Sequence, residues 1–335
     1  MGWSRPSSLV VRIGLVGFAA IVAASVRASG AGLADDPALR NSLAWQIALD
    51  RVGFSPSILD GKIGPRGEVA TREFQRANGL PATGKLDTAT AAALQTAPEK
   101  ALTTYTIQAA DAAQIAPIPK TWPEKAKLAH MAYPSLEELV AEKFHCTKGL
   151  LARLNPAKEM AALKPGDTLQ VPAIAESHPA IRGERIDINL SEKIVRVFGK
   201  DNGEKLVGLF HCSIAADKEN LPPVPSTTVA VISENPNYTF DPEKWPEVKD
   251  VKEKLTIPPG PRNPVGLCWM GLALHGYGIH GSPTPEMIGK TGSHGCFRLT
   301  NWDALRLAKM IRIGTPVSFS VAPPPKAVKH ASRSR

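Results

Sequence analysis

Apolar residues recur at helical spacing through the first part of the chain and switch to a period of two near residue 186. Leu43, Ile47 and Ala48 fall on one helical face, with Val52-Gly53-Phe54 behind them. Asp60-Gly61 makes a tight turn, and Glu68 to Asn78 predicts a second helix with Val69, Phe74 and Ala77 available for burial. Gly79-Leu80-Pro81 stops it, and Asp87 is placed to cap a third helix over Ala89 to Leu94. Residues 41–97 are thus expected to form a small helical unit. Residues 98–132 are mixed in pattern and broken by Pro117, Pro119 and Pro123, which predicts a linker with one possible strand at Tyr105 to Gln108. Order returns over 133–175. Ser135 followed by Glu138 is a capping-box pattern opening a helix through Phe144. A second helix, Lys148 to Leu154, stops at Asn155-Pro156, and Lys164-Pro165-Gly166-Asp167 turns into a short strand, Thr168 to Val171.

From Ile186 the alternation is that of strands. Ile186, Ile188 and Leu190 share one face, Ser191-Glu192-Lys193 turns, and Ile194 to Phe198 returns as the second arm of a hairpin. Further strands are predicted at Lys205 to Ile214, Thr227 to Ser233, Leu267 to Leu274, Tyr277 to His280 and Val317 to Val321. One helix, Asn301 to Ile311, is ended by Gly314. Many strands with one helix predict a β-rich, sandwich or barrel-like domain over 183–321. The fold class is multidomain α+β: a small helical module, an α/β module and a C-terminal β-rich domain.

Composition refines this picture. A length of 335 residues leaves room for two or three domains, and the 30 prolines cluster between the units. The net charge of +9 points to anionic surroundings, but Arg5, Arg12, Arg27, Lys326, Lys329, Arg333 and Arg335 lie outside the folded body. No basic stripe interleaved with aromatics is present, so nucleic acid is not expected as a partner. Arg5, the apolar run Leu9 to Val26 and the small residues Val26 and Ala28 predict a signal peptide over 1–28, hence export to the periplasm or cell wall. Arg12 and several Gly and Ala interrupt that run, so no stable membrane span is expected. Residues 322–335 predict a disordered basic tail.

Candidate chemistry concentrates between His280 and Arg298. His280 and His294 flank a loop rich in Gly, Pro, Ser and Thr, Cys296 follows His294 by two residues, and Arg298 follows Cys296 by two. A nucleophilic thiol needs a base, a group to hold that base, and donors for the oxyanion. Gly295 lets the chain turn sharply beside the thiol, and Arg298 offers a planar fork suited to a carboxylate. Zinc is the rival use of two histidines and a cysteine. No fourth ligand is spaced nearby, so neither metal nor cofactor is expected. Cys146 reads as a structural thiol, and Cys212 and Cys268 as core thiols or one disulfide. His211 and His275 have no motif around them and read as packing or solvent-facing residues.

Three stretches resemble known families. "HG" at 280–281 with "SHGCFRL" at 293–299, preceded by "IPPGPRNPVG" at 257–266, is similar to the signature of the L,D-transpeptidase (YkuD) catalytic domain. The family's "TPTG" turn stands here as "VPST" at 224–227. "ILDGKIGP", "TREFQRANGLPATGKLD" and "TATAAAL" resemble peptidoglycan-binding domain 1, and the 133–175 unit resembles a LysM module. The first resemblance implies Cys296 as nucleophile, His280 as general base, and His294 and Gly295 as shapers of the site and its oxyanion donors. It further implies Arg298, Ser293, Gly281 and Tyr277 as substrate-binding residues. The implied activity is acyl transfer: a thioester with a stem peptide, passed to an acceptor amine in cell-wall crosslinking. Hydrolysis by an L,D-carboxypeptidase and a non-catalytic wall-binding protein are the alternatives. The expected partners are peptidoglycan stem peptides and glycan, with the front half raising wall affinity and taking no part in the chemistry.

Overall fold

Three helices open the described part of the chain, each begun by a residue suited to begin it. The computed structural model describes residues 36–175, 181–199, 204–244, 248–249, 251–292 and 295–321. The expected signal peptide, the basic tail, Ser293 and His294 lie outside these. Helix α1 (Pro37–Arg51) has Pro37 in its first turn and Asp36 accepting from the Ala38 N–H. Helix α2 (Pro65–Ala77) also starts on proline, and α3 (Thr88–Leu94) is capped by Asp87, which accepts from the Thr90 N–H.

The stretch expected as a linker carries structure of its own. Strand β1 (Leu102–Thr106) and short helices α4 (Ala109–Ala112) and α5 (Trp122–Ala126) lie within 98–132. Helices α6 (Leu136–Lys143) and α7 (Lys148–Leu154) and strand β2 (Thr168–Pro172) follow. Strand β1 pairs antiparallel with β2, Leu102 opposite Pro172. The unit around α6 and α7 therefore begins well before residue 133. Ile107, Leu139, Val140, Leu151, Leu169 and Val171 share one core with Leu39 and Leu43 of α1, so the two front units are packed together. Only half of the expected capping box forms on α6. Ser135 accepts from the Glu138 N–H, but the Glu138 carboxylate lies on Arg262 instead.

The remaining strands are β3 (Arg185–Asn189), β4 (Ile194–Gly199), β5 (Lys205–His211), β6 (Ser226–Glu234), β7 (Tyr238–Phe240), β8 (Leu255–Ile257), β9 (Cys268–Leu272), β10 (Gly278–His280), β11 (Phe297–Arg298) and β12 (Pro316–Ser320), with helix α8 (Asn301–Met310) before the last. Eight of them form one sheet in the order β11-β10-β9-β6-β12-β3-β4-β5. Strand β6 pairs with β12 through its first residues and with β9 through the rest, with a register shift between Val229 and Val231. Such a bulge bends a strand, so β6 turns the sheet. Ser213, just past β5, exchanges both backbone hydrogen bonds with Arg298 of β11 at 2.8 and 3.0 Å. The two edges of the sheet thus meet, which is the barrel-like form expected. Its interior holds Ile186, Ile188, Val195, Val197, Phe210, Met270, Ile279 and Phe297.

Strands β4 and β5 are buried on both faces. Val195, Val197 and Phe210 point into the barrel, while Ile194 and Leu209 join Leu49, Phe54, Phe74 and Leu94 of the first three helices. Arg196 shares that outer face and meets Glu73 of α2 at 3.0 Å.

Candidate active site

Strands β10 and β11 run parallel, with Ile279 opposite Phe297 and His280 opposite Arg298. Directly paired residues on adjacent strands share a side, so Arg298 points to the side of His280, and Cys296 lies in the bend just before β11. Ile279 and Phe297 point the other way, into the core. The charge of Arg298 acts on both His280 and Cys296, so the three residues gather at one place. The ladder thus sets His280 opposite Arg298, two residues after Cys296.

His280 is buried. Its Nδ1 lies 2.6 Å from the Gly281 carbonyl oxygen. A carbonyl can only accept, so Nδ1 carries the proton and Nε2 keeps its lone pair. Burial holds the imidazole down to about 4, against the pull of the Gly281 hydrogen bond, and the Arg298 guanidinium lowers it further. The ring stacks on Trp269 of β9 with centroids 5.7 Å apart. Trp269 carries no sequence signal for this role, which follows from its pairing opposite His280.

Cys296 is half-buried, unlike the other three cysteines, which are buried free thiols. Burial pushes Cys146, Cys212 and Cys268 each up to about 12, which makes them poor nucleophiles. The Cys212 and Cys268 alternatives thus resolve to core thiols. The Cys296 thiol lies 3.7 Å from the Gly276 carbonyl. Gly295 before it has φ +149°, a backbone state that side-chain-bearing residues rarely adopt. Tyr277 stands beside Gly295, and its hydroxyl donates to the Leu221 carbonyl at 3.1 Å.

Arg298 lies close enough to Cys296 and His280 for its charge to act on both. One of its nitrogens, Nη2, donates to the Thr291 carbonyl at 3.2 Å and to the Gly292 carbonyl. It thus straps the loop that joins His280 to Cys296, a contact not foreseen from sequence. Its buried Nε has no partner among the described residues. His211 is a packing residue: buried, with Nε2 3.0 Å from the Arg66 carbonyl. No cluster of three metal-ligating side chains occurs among the described residues.

Residues 183–318 match the family model of the L,D-transpeptidase catalytic domain, YkuD. This segment is an L,D-transpeptidase catalytic domain. Residues 43–94 match the model of a peptidoglycan binding domain. A Bacillus licheniformis protein assigned by name to L,D-transpeptidase YkuD is 27% identical over 183 residues, 55% of this chain and 92% of that one. Bacillus subtilis YqjB, likewise assigned by name, is 34% identical over 120 residues, 34% of this chain and 59% of its own length. Bacillus subtilis YkuD is 42% identical over 60 residues, 18% of this chain and 37% of its own. An L,D-transpeptidase is an acyltransferase, so the chain is an enzyme. The LysM-like reading of the middle unit has no counterpart among these matches.

Proposed function

We propose that the protein crosslinks peptidoglycan stem peptides by a two-step acyl transfer at Cys296. The thiol proton passes to His280 Nε2 as Sγ bonds to the carbonyl carbon of the donor peptide. Backbone N–H groups at Gly295 and Cys296 meet the developing oxyanion, with His294 and Gly295 shaping the turn. As the carbon–nitrogen bond breaks, His280 returns the proton to the departing D-amino acid and a thioester remains. An acceptor amine then attacks the thioester carbon, the carbon–sulfur bond breaks, and the thiolate takes back a proton. Arg298, Ser293, Gly281 and Tyr277 border the donor peptide.

The observation that carries this reading is the parallel pairing of β10 and β11, which sets His280 opposite Arg298, two residues after Cys296. The peptidoglycan binding domain at 43–94 favours the same substrate. Its place of action is the cell wall or periplasmic space, reached through the leader at 1–28. Among the described residues no helix is long and apolar enough to cross a membrane.

Mass spectrometry of a stem tetrapeptide after incubation tests the proposal. A crosslinked dimer, and a transient adduct on Cys296, are expected with the parent protein and neither with Cys296→Ala. A shortened peptide alone would make water the acceptor. An unchanged peptide with folded protein would leave a wall-binding role only.

A further inference from the structure

Helix α6 belongs to the front half of the chain, yet its carboxylates reach the scaffold of the catalytic turn. Glu138 and Glu142 are four residues apart and share a helix face. Glu142 Oε1 accepts from the Asn301 side-chain amide at 2.9 Å and from the Tyr133 hydroxyl at 3.0 Å. The Asn301 amide oxygen accepts from the Leu267 N–H at 3.0 Å. A carboxylate at one end and an N–H at the other allow a single orientation of that amide. A Cβ on Gly281 would stand 2.3 Å from the same Asn301 oxygen, so the Gly281 backbone is packed directly on it. Gly281 is the residue whose carbonyl receives the His280 Nδ1–H. A polar chain therefore runs carboxylate, amide, glycine backbone, imidazole.

Two further contacts from the front half grip the same loop. Glu138 lies 3.1 Å from Arg262 Nη1, which donates to the Pro283 carbonyl at 2.6 Å. Arg66 Nη1 donates to the Ile288 carbonyl at 3.0 Å and to Ser57 Oγ at 3.2 Å. The segment after His280 is thus held at residues 281, 283 and 288 by groups that answer to helices α2 and α6.

We propose that Glu142 is a positioning residue for acyl transfer, holding His280 through Asn301 and the Gly281 backbone. The front half is then part of the catalytic apparatus as well as an anchor to the wall. The inference rests on the assignment of Cys296 and His280 made above. A base displaced by about an ångström loses alignment with the thiol proton, and such losses reach roughly a hundredfold in rate. Burial pushes the Glu142 carboxyl up to about 7, so a neutral amide of the same shape can take its place without desolvating a charge.

The test compares full-length parent, Glu142→Ala, Glu142→Gln and Lys143→Ala. Lys143 sits beside Glu142 on α6 but pairs with Asp111 and Tyr105, away from the site. The readouts are kcat and KM on a stem tetrapeptide with an amine acceptor, the rate of Cys296 alkylation by iodoacetamide, and the thermal midpoint. Glu142→Ala is expected to lower kcat roughly ten- to a hundredfold with KM nearly unchanged, and to slow alkylation. Glu142→Gln should restore most of both, because its carbonyl can accept the same two hydrogen bonds. Lys143→Ala should leave kcat at the parent value. Glu142→Leu replaces the alanine variant if that one unfolds, since it keeps volume but accepts nothing. A folded Glu142→Ala or Glu142→Leu that turns over and alkylates like the parent overturns the proposal, as does failure of Glu142→Gln to rescue. Failure of the parent to act on the tetrapeptide counts against the transpeptidase reading alone, because alkylation needs no peptide and still reads the effect of Glu142.

Discussion

An imidazole with a low proton affinity is a modest base but a dependable one. Burial keeps His280 neutral down to about pH 4, and its Nδ1–H is already committed to Gly281. Below its value of about 4 the ring is protonated and cannot take the Cys296 proton; above it the ring is free. The acid limb of Cys296 acylation should therefore fall below pH 5 and not near 6.5, the ordinary histidine value. Single-turnover acylation followed by mass spectrometry from pH 4 to 7 checks this, and a limb centred near 6.5 would remove His280 as the burial-shifted base. His280→Gln should lower the plateau by ~100-fold or more, the usual contribution of general-base catalysis. Cys296, His280 and Arg298 were legible in the sequence because they lie within nineteen consecutive positions with glycines beside them. Trp269, Asn301 and Glu142 were not. Each acts across a tertiary contact, and a buried asparagine at the start of a helix looks locally like any other helix opening.

At the level of elements, the outer face of the barrel has the most to lose. Arg196 on β4 and Glu73 on α2 are each nearly buried, and Glu73 also meets Arg76 while Arg196 meets Glu192. Removing one member of a buried ion pair strands the other, at a cost of about 3–5 kcal/mol. Glu73→Ala should lose about that much in a chemical denaturation experiment, whereas Glu73→Met with Arg196→Met should recover much of it. The helices α1 to α3 and α6 to α8 and the longer strands were readable from periodicity, because each buries one face. Strand β1 was blurred into a linker, since its partner β2 lies more than sixty residues away. Strands β7, β8 and β11 have two or three residues each, too few for an alternation to show.

Over the whole molecule, the front half packs closely against the catalytic domain. Ile194 and Leu209 are fully buried under the first helices, and Phe54 and Ser55 bond to the backbone or flank of β5. A chain beginning near His178 would expose that apolar face and lose the grip on the loop after His280. It should run as aggregates or a loosened species by size-exclusion chromatography and turn over small stem peptides far more slowly than the full chain. A monomeric product with parent kcat would show the catalytic domain to be self-sufficient.

The parallel pairing of β10 and β11 carries one more consequence. Neighbouring parallel strands cannot be joined by a hairpin, so the chain between His280 and Phe297 has to cross back along the barrel rim. The ladder fixes His280 opposite Arg298, whatever the middle of the crossing looks like. That middle, around Pro285 to Lys290, is therefore the part open to replacement. The replacement is not free-standing, however, because Arg66 and Arg262 hold carbonyls at Ile288 and Pro283. A loop grafted from another enzyme has to offer carbonyls to Arg66 of α2 and to Arg262, which Glu138 of α6 holds, so new loops should be inherited as matched pairs of loop and front half.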